Sequence, residues 1–153
     1  MRLHVLCITK RPRDWVVQAE EAYLKRLRGQ VEVVVREISP TKQSTKSANL
    51  KKEADRILHY CPRGACIVAL DERGALWSTE QLVQKLDSWR GMYTDVACLI
   101  GGAEGLTPGL LKRAHHRWAL SPLTLPHQLA RVILIEQLYR GWSVLRGHPY
   151  HRA

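Results

Sequence analysis

Apolar positions recur at a spacing of two in some stretches and at three to four in others, and these stretches alternate along the chain. Arg2–Ile8 alternates loosely and is rich in Val, Leu and Ile, which predicts a first strand. After the basic turn Lys10-Arg11-Pro12-Arg13, Asp14 is placed to cap a helix from Trp15 to about Leu27. Its expected apolar contacts are Trp15, Ala19, Ala22, Tyr23 and Leu27, and Gly29 ends it. Gln30–Ile38 is strongly β-branched and predicts a second strand. Ser39–Ser47 is polar and basic without periodicity, so a mobile loop is expected before a helix over Ala48 to His59.

Ala65–Leu70 is a continuous apolar run, as in a central strand covered on both faces, and it opens into the polar turn Asp71–Gly74. Ser78 or Thr79 caps a helix to about Arg90, with Leu82, Leu86 and Trp89 as its stripe. Thr94–Ile100 reads as a fourth strand, and Thr107-Pro108 starts a short helix to about His115. Arg117–Leu120 reads as a short fifth strand. Strands and helices in this alternation predict a single α/β domain: a mostly parallel sheet flanked by helices. The last helix, about His127 to Leu145, carries apolar residues facing nearly every direction. Such a helix is buried on more than one side, by its own sheet and by a partner subunit or by loops.

Charge changes the picture more than composition does. Lys plus Arg number 24 against 14 for Asp plus Glu, a formal +10 that favours a polyanion such as nucleic acid. The lysines at 42, 46, 51 and 52 fit either an RNA-contacting arm or a solvated connection. No apolar stretch is long enough to span a bilayer and the N-terminus lacks a signal-peptide layout, so a cytoplasmic protein is expected. Cys7, Cys66 and Cys98 sit in apolar runs and Cys61 precedes a proline, a pattern of buried thiols rather than disulfides or zinc. No metal is expected: the histidines at 115, 116, 127, 148 and 151 do not share ligand spacing.

Candidate chemistry gathers at predicted strand ends. Leu70, Gly101-Gly102 and Ser121 all fall there, where α/β sheets bind ligands. Gly101-Gly102-x-x-Gly105 lacks both the G-x-G-x-x-G order and a G-K-[ST] ending, which argues against a phosphate cradle. Glycines also let a flat ring approach the main chain, and the two-proline segment Ser121-Pro122-Leu123-Thr124-Leu125-Pro126 presents backbone groups that can read a base edge. Glu104 fits an electrostatic role toward a cationic ligand or a cap on the following helix. The tail Arg146–Arg152 combines His, Tyr and Arg, which contact phosphates and stack on bases, although a frayed terminus has the same composition.

At these residues the chain resembles the SPOUT-class ribosomal RNA methyltransferases of the RlmH type. LIGGAEGL, LSPLTLPHQLARVILIEQLYRGWSV and HPYHR carry the resemblance, together with Pro12-Arg13-Asp14-Trp15 and the LDERG turn, over essentially the whole length. The resemblance implies a C-terminal trefoil knot, against the general rule that chains avoid threading. It also implies S-adenosylmethionine in the knot, a homodimer with the site near the subunit interface, and methylation of N3 of a pseudouridine in 23S rRNA on assembled ribosomes. By motif match, Leu70, Gly101, Gly102 and the run Ser121, Pro122, Leu123, Thr124, Leu125 and Pro126 would hold the cofactor. Glu104, Arg131 and His148 are the expected substrate contacts. Tyr150, His151 and Arg152 are the expected catalytic group, since the imide nitrogen must lose a proton to attack: His151 and Arg152 as base or charge stabiliser, Tyr150 placing the ring. Two other readings stay open, a non-enzymatic ribosome-binding factor of the same fold and a nucleotide-binding metabolic enzyme.

Overall fold

A computed structural model describes the chain from Met1 to Arg152, with side chains described as far as Tyr150. Its strands are β1 (Arg2–Ile8), β2 (Glu32–Ile38), β3 (Cys66–Leu76), β4 (Asp95–Ile100) and β5 (His116–Ala119). Between and after them come α1 (Asp14–Leu27), α2 (Lys46–Tyr60), α3 (Thr79–Met92), α4 (Pro108–Arg113) and α5 (His127–Leu145), then a 3-10 turn, Pro149–Arg152. The sheet order is β2-β1-β4-β3-β5, and every pairing is parallel.

Period-two alternation sorts β1 and β4 between two cores. Leu3, Val5 and Cys7 with Val96, Cys98 and Ile100 face α3 and α5, where Leu82, Leu86, Leu134, Ile135 and Leu138 meet them. Leu6 and Ile8 with Ala97 and Leu99 face the other way, onto Ala54 and Ile57 of α2 and Leu110 of α4. Helices therefore cover both faces, as buried parallel strands require. The sides of α5 are flanked by α1 and α3 of the same chain. Its outer row, Leu129, Val132 and Ile133, stays partly accessible, with Leu129 exposed.

The caps follow local chemistry. Ser78 and Gln81 form a reciprocal capping box on α3, Thr45 accepts from the Ala48 N–H on α2, and Thr107 caps α4 with Pro108 behind it. Four details depart from the sequence expectations. Arg13, not Asp14, is the N-cap of α1, and Asp14 sits in the first turn, where a carboxylate suits the helix dipole. The inward face of α1 is Val16, Glu20 and Leu27, leaving Trp15 46% exposed and Ala22 exposed. The segment expected to be mobile is tied down: Thr41 N–H donates to Glu53 at 3.1 Å, and Thr41 Oγ1 donates to Asn49 Oδ1 at 3.1 Å. β3 also continues past Leu70, because Trp118 of β5 lies opposite both Leu70 and Ala75 and the residues between them bulge out.

Candidate functional site

Three strand ends shape one cavity. It opens beyond the carboxyl ends of β3, β4 and β5, has a volume of about 780 Å³, and falls in the range of small-molecule sites. Leu70, Ile100, Leu106, Leu120 and Leu125 supply apolar wall, and the segments 101–105 and 121–126 supply main chain.

The glycines at β4's end are needed by the loop itself. A Cβ at Gly101 would overlap the Gly105 carbonyl and come within 2.9 Å of its Cα, and one at Gly102 would meet Ile8 Cγ2 at 3.1 Å. Gly105, at φ +75°, donates its N–H to the Gly102 carbonyl at 3.0 Å and closes the turn. The loop's own fold therefore requires these glycines, which also line the cavity. In the facing loop, Ser121 Oγ accepts from the Leu123 N–H at 2.9 Å, and Leu123 lines the cavity while 75% exposed.

The bulge of β3 adds charge that sequence reasoning missed. It delivers Asp71, Glu72 and Arg73 to the rim, where Arg117 Nε donates to Asp71 Oδ2 at 2.9 Å. Thr124 Oγ1 donates to Glu72 Oε2 at 3.0 Å, linking the bulge to the 121–126 loop. On the opposite rim Glu104 pairs with Lys46 at the start of α2. Asp71–Gly74 reads as an ordinary polar turn, and only its pairing partner 46 residues away shows otherwise.

Two of the expected substrate contacts lie elsewhere. Arg131 is corrected outright: it is 2% exposed, paired with Glu20 and, at 3.0 Å, with Glu37, and presents no donor to the cavity. Burial pushes the Glu20 carboxyl up, and Arg131 opposes that rise. His148 is exposed and lies beside Gly29 and Arg146, in a second, shallower hollow away from the cavity.

Tyr150 folds back on α5. Its hydroxyl donates to Glu136 Oε1 at 3.0 Å, its ring lies 4.6 Å from that of Tyr139, and burial raises its pKa. Glu136 is six residues beyond Ala130, the last α5 residue at the cavity wall, or about 9 Å of helix rise. His148, Pro149 and Tyr150 do not line the cavity of their own protomer. The side chains of His151 and Arg152 lie outside the described residues.

The donor set suits a nucleoside without phosphate. Apolar walls and main-chain groups suit a flat base, Arg117 at the rim is taken up by Asp71, and the rim carboxylates of Glu72 and Glu104 suit a cationic ligand. Among the described residues no group of three His, Cys, Asp or Glu side chains is placed to hold a metal, and no helix is long and apolar enough to cross a membrane.

Comparison with known proteins gives a consistent result. "Ribosomal RNA large subunit methyltransferase H" of Thioalkalivibrio sulfidiphilus is 45% identical over 156 residues, covering 99% of each chain. Its namesakes in Paraburkholderia phymatum and Polynucleobacter asymbioticus are 44% and 43% identical, covering 100% and 99% of each chain. Among solved structures, a probable methylase family protein from Haemophilus influenzae Rd KW20 matches with a TM-score of 0.56 at 14% identity, over 97% of this chain and 69% of that one, a likeness of fold alone. A family model described as "Predicted SPOUT methyltransferase" matches residues 1–151. With that match over nearly its full length, the chain belongs to the SPOUT methyltransferase family.

Proposed function

We propose that this chain is an S-adenosylmethionine-dependent ribosomal RNA methyltransferase that methylates N3 of a pseudouridine in 23S rRNA on assembled ribosomes. The observation that carries the reading is the cavity walled by the two loops at the ends of β4 and β5, joined to full-length relatives named for large-subunit rRNA methylation. Leu70, Gly101, Gly102 and Ser121 to Pro126 hold the cofactor, with the C-terminal knot of the family as the frame. When bound, the cofactor supplies an activated methyl group on a sulfonium, and the protein supplies orientation and electrostatics. Glu104 stands at the rim, where its carboxylate favours that positive charge.

The acceptor side is completed by a second copy. Tyr150 is held away from its own cavity by Glu136 and Tyr139, so the tail serves the partner's cavity rather than its own. Exposed Trp15, Leu123 and Leu129, with the outer row of α5, form the apolar surface that a two-fold pairing would bury. In that arrangement His148 and Tyr150 position the base, and His151 and Arg152 take up or offset the N3 proton.

Mass mapping of 23S rRNA from cells lacking this chain, then restoration with purified protein, ribosomes and S-adenosylmethionine, tests the reading. One methyl group returning to one pseudouridine is the expected result. Protein that binds ribosomes but gives no calorimetric signal with S-adenosylmethionine would establish the non-enzymatic reading instead.

A further inference from the structure

Apart from the Lys46–Glu104 pair, the lysine-bearing edge of α2 has no role in the site described above. We infer that Lys42 and Lys52, flanking the Lys46–Glu104 pair, form a preformed docking surface for the phosphates of the RNA strand entering the cavity, on the protomer that holds the cofactor. This inference rests on the proposed RNA substrate.

Three observations carry it. First, the segment before α2 is tied to the helix by the chain's own hydrogen bonds. Asn49 and Glu53 hold Thr41 through both its N–H and its hydroxyl, Asn49 Oδ1 also accepts from the Gln43 N–H at 2.5 Å, and Arg56 Nη1 donates to the Ser39 carbonyl at 2.6 Å. A solvated connection needs none of these ties. Docking on such a segment avoids the ordering cost that a mobile arm would incur.

Second, the edge adjoins the cavity. Lys46 pairs with Glu104 on the rim, and a Cβ at Gly102 would lie 3.8 Å from Glu53 Oε2. At about 100° per residue, Lys46, Asn49, Lys52, Glu53 and Arg56 fall within about 120° of one another, on the side that grips the 39–43 segment. Lys51 faces elsewhere.

Third, the acids facing this edge do not cancel it. Glu53 is engaged by Thr41, and Glu104 is matched by Lys46, whereas Lys42 and Lys52 are exposed and form no ion pair among the described residues. A backbone phosphate fits such a surface because it is a compact anion that a flexible ammonium meets without a fixed geometry.

The test compares the full-length protein with K42A/K52A and with a control of equal charge loss, R63A/R90A, whose sites lie toward the amino ends of β3 and β4. Binding of a labelled single-stranded oligouridylate is measured against salt, and S-adenosylmethionine binding is measured by calorimetry. Two phosphate contacts on single-stranded RNA contribute about 1.4 to the slope of log affinity against log salt. K42A/K52A is expected to lose that amount with cofactor affinity unchanged, and R63A/R90A to keep the wild-type slope. An unchanged slope in K42A/K52A, or an equal loss in both variants, would overturn the inference while leaving methyl transfer intact. Wild-type protein that neither binds S-adenosylmethionine nor methylates rRNA would remove the functional reading, and this inference with it.

Discussion

Replacing Arg131 by Met separates the two roles that this residue has been given. Sequence and resemblance put Arg131 on the substrate, whereas the structure puts it between α5, α1 and β2, paired with Glu20 and Glu37. The guanidinium is 3% exposed and the Glu20 side chain 5%, so R131M would strand a carboxylate in the core. Removing one member of a buried pair costs about 3–5 kcal/mol. Glu37, at 39% side-chain exposure, adds little. With a urea dependence of about 2 kcal/mol per molar, the midpoint should fall by about 1.5–2.5 M. Tryptophan fluorescence reads the transition, at one fixed protein concentration so that any association contributes equally to both proteins.

Two further signatures belong to this prediction. The double variant E20M/R131M should recover most of the loss, because apolar replacement of both partners removes the stranded charge. The pH dependence should also change. Glu20 is already pushed above its ordinary value of 4.5 by burial, with Arg131 as the chief opposing influence, so R131M raises it further. A carboxyl raised in the folded state stabilises most below its unfolded pKa, and that contribution is lost as pH rises through the folded value. R131M should therefore be less handicapped near pH 4 than at neutral pH. A variant whose midpoint stays within a few tenths of a molar of wild type, but whose RNA affinity collapses, would refute the structural role and restore the substrate role.

Other outcomes follow from the same geometry. Gly101→Ala should weaken S-adenosylmethionine binding more than tenfold by calorimetry, because its Cβ overlaps the Gly105 carbonyl, and unchanged binding would show that the loop can refold around it. Asp95 is held below its ordinary value by the hydrogen bond to His4 Nε2 at 2.7 Å, with Arg2 assisting against burial. Its contribution is complete above the unfolded value of 3.8 and disappears as pH falls through the lower folded one, so Asp95→Asn should flatten the acid limb of a stability–pH curve below about pH 4. Burial pushes Cys7 and Cys66 up to about 11 and Cys98 to about 12, so a thiol reagent near neutral pH should label half-buried Cys61 first in native protein. Peptide mapping that found Cys98 modified before Cys61 would contradict the packing of β4.

Much of the fold was legible from local pattern. Repeats of two and of three to four positioned every strand and helix, and the bounds of α5 coincide with those expected, because Pro126 and the end of the apolar run are local signals. The cavity was legible to the extent that it is made of strand ends: Leu70, Gly101-Gly102, Ser121 and Leu123 to Pro126 line it, whereas Pro122 does not.

What the chain's periodicity could not decide depended on partners far away in sequence. Trp15 and Val16 fit an inward position on α1 equally well, and the position of α5 chose Val16. Asp71 to Gly74 resembles an ordinary turn, and β5, more than forty residues on, makes it a bulge that carries charge to the rim. Arg131 and Glu20 are 111 residues apart, and each alone has the signature of a solvated, function-bearing side chain. Local sequence encodes which faces of an element are apolar, so it determined the elements and their ends. Which neighbour covers each face is a long-range choice made by packing, and in this protein that choice decided which charged residues serve the site and which hold the core together.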